Sequence, residues 1–80
     1  MVVKEQVKDY VEAAMMIVFN GEERSCQDGW TLADLVEDLG LTKKRIAAEV
    51  NRDIIPREAY GQQRLQAGDV IEIVNFVGGG

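Results

Sequence analysis

Gly68-Asp69-Val70-Ile71-Glu72-Ile73-Val74-Asn75-Phe76-Val77-Gly78-Gly79-Gly80 is the stretch whose reading decides the fold. Ala67-Gly68-Asp69 has the composition of a turn. Residues 70–77 are rich in β-branched side chains and include Phe76, the types that suit a pleated, half-buried surface. This is the strongest strand in the chain. Residues two apart share one face of a strand, so Ile71 and Ile73 are expected to point into a core, and Glu72, Val74 and Phe76 to the opposite face. The strand runs without a break into three glycines.

Three glycines pack nothing and lose much backbone freedom on ordering, so a fold gains little from them. A backbone without Cβ atoms can, however, thread a narrow channel into another protein's active site and deliver the carboxylate of Gly80 there. On that reading Gly80 is the reacting residue, and Gly78 and Gly79 are its flexible lead. A carboxylate is a poor acyl donor until its oxygen becomes a good leaving group, so an ATP-dependent partner would convert it to an acyl adenylate open to attack by sulfur. A Gly-Gly-Gly end alone is equally the mark of an idle linker. Its place directly after a strong strand in a chain of 80 residues makes the signal specific.

Outward from the tail, the rest of the chain supplies a sheet and one cover. Residues 15–19 are a short apolar run, Asn20-Gly21 is a pair that accepts the positive φ of a two-residue hairpin turn, and residues 22–26 return as a second strand. Thr31 is placed to cap a helix over about residues 31–39, with Asp34 near its positive end and Gly40 as a left-handed C-cap. Leu32, Leu35, Val36 and Leu39 form its apolar stripe, the face that covers a sheet. Residues 45–50 read as a third strand, Asn51-Arg52-Asp53 as a turn, and Ile54-Ile55 as a short strand stopped by Pro56, the single proline. The order implies an α+β domain: a mixed four- to five-stranded sheet with one main covering helix.

Residues 1–14 place Val3, Val7, Tyr10, Val11 and Ala14 at helical spacing, but a helix of that length is marginal in water. They are expected to be a flexible or loosely helical extension, residues 15–77 the domain, and residues 78–80 the functional tail. The alternative is that the natural start of the chain is Met15 or Met16.

Composition narrows the function classes. Nine basic against fourteen acidic residues give a net charge of -5, which opposes nucleic-acid phosphates and anionic membrane surfaces and suits a protein partner with a basic docking surface. No apolar run approaches the roughly 20 residues of a membrane span, and a cytoplasmic monomer is expected. The chain has no histidine and one cysteine, Cys26, so Ser-His and Cys-His catalysis, His-based metal sites and an internal disulfide are excluded. Cys26 reads as a small apolar strand residue. Glu22-Glu23 and Glu37-Asp38 are neighbours in sequence that point different ways, which suits a solvated acidic face better than a catalytic pair. No permanently bound cofactor is expected.

Ile17-Val18-Phe19-Asn20-Gly21-Glu22, Thr31-Leu32-Ala33-Asp34-Leu35 with Leu39-Gly40, Glu49-Val50-Asn51-Arg52-Asp53-Ile54-Ile55-Pro56-Arg57 and the closing stretch from Gly68 together resemble the ThiS sulfur carriers. The resemblance covers about residues 16–80. It implies a β-grasp, ubiquitin-like fold and a role in making the thiazole ring of thiamine, without enzymatic activity in the carrier itself. It implies three partners: an E1-like adenylyltransferase (ThiF-type) that uses ATP, a cysteine desulfurase or other sulfur donor, and a thiazole synthase (ThiG-type) that accepts the sulfur. Gly80 is then the residue adenylated and thiocarboxylated. Two alternatives stay open: the molybdopterin-synthase small subunit (MoaD), which has a similar fold and also ends in Gly-Gly, and a ubiquitin-like interaction module without sulfur chemistry. Val74 and Phe76, exposed beside the tail, are expected to form the face that docks on the adenylating partner, unless the extension or the loop over residues 56–65 covers them.

Overall fold

The computed structural model describes residues 14–76; the expectations for residues 1–13 and 77–80 lie outside the described residues. Strands β1 (Ala14–Phe19) and β2 (Glu22–Gln27) form an antiparallel hairpin with Phe19 opposite Glu22. Asn20 and Gly21 have φ of 48° and 87°, the two left-handed residues that a tight primed turn requires.

Helix α1 (Leu32–Asp38) starts where the side-chain chemistry says it should. The Asp34 N–H donates to Thr31 Oγ1 (3.3 Å) and the Thr31 N–H donates to Asp34 Oδ2 (2.9 Å), so each side chain satisfies the other's backbone at an end that would otherwise have free donors. The helix ends at Leu39 with Gly40 at φ 75°. The N–H groups of Gly40 and Leu41 turn back to the carbonyls of Glu37 (3.0 Å) and Val36 (2.9 Å), a paired closure that places Leu41 against the core.

Strands β3 (Ile46–Val50) and β4 (Asp53–Ile55) form a second tight hairpin through Asn51 and Arg52, both at positive φ. Strand β5 (Val70–Asn75) is the centre of a five-stranded sheet in the order β2-β1-β5-β3-β4, parallel to β1 and antiparallel to β3. The strand that precedes the tail in sequence thus takes the central place, where both its edges are paired.

The core lies between one sheet face and α1. Ile17 and Cys26, Ala48 and Val50, and Ile71 and Ile73 come up from the sheet to meet Leu32, Leu35 and Val36. Ile71 and Ile73 are inward as the alternation predicts, and Leu39 is half-buried at the rim. One element has no counterpart in the sequence reading: residues Arg57–Gln62 form a 3-10 helix after Pro56, and this loop packs beside α1. Tyr60 and Leu65 enter the core, and backbone bonds from Leu65 to Trp30 (2.9 Å) and from Leu32 to Gln63 (2.8 Å) tie the loop to the start of α1. The segment over residues 56–65 therefore does not lie across Val74 and Phe76.

Candidate functional site

The site is the end of β5 that leads to the tail. Val74 and Phe76 are 57% and 53% exposed, on the face opposite Ile71 and Ile73. The Phe76 N–H donates to the Arg45 carbonyl (2.8 Å), which keeps β5 paired to the β3 side up to the last described residue. Gly78, Gly79 and Gly80 lie outside the described residues.

Register places further residues on the same open face along the length of β5. Val74 is opposite Ala47, Val70 opposite Val18, and Glu72 opposite Glu49, which is itself opposite Ile54. Met16 and Ile54 are exposed on the same face by strand alternation. The open face therefore carries scattered large apolar side chains with two directly paired carboxylates among them. Like charges directly opposite each other on a sheet are destabilising, so Glu49 and Glu72 do not serve the stability of the isolated domain. Their adjacency had no sequence signal, because it depends on the register between strands far apart in the chain.

The turn at the start of β5 is built by side chains. The Asn51 Nδ2 donates to Asp69 Oδ1 (3.0 Å), Asn51 Oδ1 accepts from the Val70 N–H (2.9 Å), and Asp69 Oδ2 accepts from the Gln66 N–H (2.8 Å). On the other side Asn20 bonds both backbone groups of Ile73. In the sequence Asn20 and Asn51 announced only turns.

Cys26 has no part in this site. It sits in β2 under the core, 4% exposed, and burial pushes its thiol up from the ordinary value, against a partial pull down from Arg24. A thiol that is both covered and held protonated is a poor nucleophile, so it is a poor place to carry sulfur. Among the described residues there is neither a pocket nor a group of His, Cys, Asp or Glu side chains able to hold a metal, and no helix is long and apolar enough to cross a membrane.

A family model, that of the ThiS family, matches residues 17–80. The chain belongs to the ThiS family. It is 41% identical over 66 residues to the sulfur carrier protein ThiS of Bacillus subtilis, an alignment that covers 81% of this chain and 100% of that protein. It is also 41% identical over 66 residues to a thiazole synthase of Paramagnetospirillum magneticum, where the match covers 82% of this chain but spans only 20% of that longer protein. Among solved structures, the ThiS thiamine biosynthesis protein of Geobacter metallireducens is similar with a TM-score of 0.71 and 25% identity, covering 82% of this chain and all of that one. The sheet and helix described above are therefore the β-grasp fold of ThiS proteins, as the resemblance implied. The ThiS reading of the sequence is the one that this family match supports.

Proposed function

We propose that this ThiS-family chain is a sulfur carrier for thiamine biosynthesis whose working group is the carboxylate of Gly80. The observation that carries the reading is the family match running through residues 17–80, tail included, on a fold whose central strand is followed in sequence by Phe76, Val77 and the three glycines.

In chemical terms, a carboxylate oxygen of Gly80 attacks the α-phosphorus of ATP in a ThiF-type adenylyltransferase and pyrophosphate leaves. A persulfide sulfur, supplied by a cysteine desulfurase or another donor, then attacks the acyl carbon and AMP leaves. A thiol then attacks the donor's sulfur in the resulting acyl disulfide, forming a new disulfide with the donor and expelling the thiocarboxylate. That group passes its sulfur to a ThiG-type thiazole synthase, a pairing supported by the ThiS-like stretch within a protein named thiazole synthase. Val74 and Phe76 dock the carrier on the adenylating enzyme, with Glu49 and Glu72 beside them meeting basic groups. The carrier itself supplies no catalytic group, and the nucleotide belongs to its partner.

The test is the intact mass of the chain purified from cells grown with the sulfur-transfer machinery present. The expected result is a species in which one oxygen of the C-terminal carboxylate is replaced by sulfur, absent when Gly80 is deleted. An unmodified mass under all conditions, or pyrophosphate release from ATP by the purified chain alone at an enzymatic rate, overturns the carrier reading.

A further inference from the structure

Two asparagines stand at the first position of the two turns that flank β5, Asn20 with φ 48° and Asn51 with φ 52°. Neither turn needs an asparagine for its shape, since glycine reaches the same left-handed region without strain. What the side chains add is contact with β5, and the two contacts differ in place. Asn51 holds the start of the strand, at Val70. Asn20 holds it further along: its Nδ2 donates to the Ile73 carbonyl (3.2 Å), and its Oδ1 accepts from the Ile73 N–H (2.9 Å).

That pair of bonds replaces a strand that is no longer there. The last strand residue of β1 is Phe19, and the Asn20 N–H makes the chain's next backbone bond to β5, at the Ile71 carbonyl (2.9 Å). The chain then turns away at Gly21 into β2. Val70 and Phe76 bond towards β3, so by the alternation of an antiparallel ladder Ile71, Ile73 and Asn75 present their N–H and C=O groups to the β1 side. Backbone meets Ile71 and the Asn20 carboxamide meets Ile73. At Asn75 the strand pairing on that side is over, and β5 continues held by the β3 side alone.

The geometry points to Asn20 as a positioning residue for the tail: its carboxamide sets the last level at which β5 is held on both sides, and so fixes the direction in which the chain leaves towards Gly80. This inference rests on the reading of Gly80 as the reacting group. A group delivered into a partner's active site reacts only when it arrives in a narrow range of positions, and without the clamp β5 beyond Ile71 is held by the β3 side alone, which loosens the strand that precedes the tail.

The experiment compares the full chain with Asn20→Gly, Asn20→Asp and Asn51→Gly. It uses pyrophosphate release in the presence of ATP and a ThiF-type adenylyltransferase, a binding titration to the same enzyme, and amide exchange at Ile73. Asn20→Gly keeps the turn and removes the clamp; Asn51→Gly removes the matching side chain at the other end of the strand and serves as the stability control. Expected for Asn20→Gly is a kcat lower by about tenfold, a small share of what a misplaced reacting group can lose, with unchanged Kd and faster exchange at Ile73. Asn51→Gly keeps its kcat. Asn20→Asp, which retains the acceptor for the Ile73 N–H but not the donor to its carbonyl, falls between. A wild-type kcat in Asn20→Gly, or an equal loss in Asn51→Gly, overturns the inference and leaves the carrier reading standing. A wild-type chain that releases no pyrophosphate overturns the carrier reading, and this inference with it.

Discussion

The two faces of β5 are written in the same six residues and do opposite work. Ile71 and Ile73 are 0% and 7% exposed and knit the sheet to α1, while Val70 and Val74 are 41% and 57% exposed with nothing among the described residues laid over them. A small domain buries only about 60% of the surface of its unfolded chain, and burying a valine or isoleucine contributes roughly 1.5–3 kcal/mol. Leaving Val74, Phe76, Ile54 and Met16 in water, next to an unhelpful pair of carboxylates, forgoes stability that such a domain needs. The difference teaches that the covered face is organised for the fold, and it supports the proposal that the open face serves a partner.

That comparison breaks most easily at Ile73. Truncation to alanine is expected to lower unfolding free energy by about 2–5 kcal/mol, as for a buried isoleucine elsewhere, measured by urea titration. A loss near zero would mean that the two faces have been assigned the wrong way round. Next in size is the cap. Thr31→Ala removes the acceptor for the Asp34 N–H and is expected to cost about 0.5–2 kcal/mol in the same titration, because α1 is short and its start depends on that exchange. It sharpens the comparison by showing how much of the covered face's stability depends on α1 being in place.

On the open face the sign of the effect divides between folding and binding. Phe76→Ala is expected to leave the melting temperature nearly unchanged and to weaken association with the adenylating enzyme by roughly 1 kcal/mol or more, as loss of an aromatic anchor does. A collapsed melt would place Phe76 in the core, and unchanged binding would remove it from the docking face. Smallest is Glu72→Gln, which relieves the repulsion with Glu49 and is expected to stabilise the isolated domain by a few tenths of a kcal/mol, on the order seen for cross-strand pairs, while slowing association with a basic partner. A variant that binds faster would reverse the charge argument.

The local elements were legible because their causes are local. The Asn20-Gly21 turn, the Thr31 cap with Asp34 three residues on, the stop at Gly40 and the alternation of β5 each depend on residues within a few positions of one another. The 3-10 turn after Pro56 was missed for the complementary reason. Its six residues show no helical stripe of their own, and what holds them is Tyr60 and Leu65 reaching a core assembled by other parts of the chain.

By itself, then, the sequence determined the α+β class, the strand that leads to the tail, the inward pair Ile71 and Ile73, and, through its resemblance to ThiS carriers, the residue proposed to react. Only the tertiary structure decided which strands lie beside β5, that Glu49 stands opposite Glu72, and that the Asn20 carboxamide takes over from β1 at Ile73. The physical reason is one of range. Propensity, capping and alternation act over a few residues and can be read along the chain, whereas register and side-chain pairing between residues distant in sequence exist only once the burial of a common core has fixed the strands side by side.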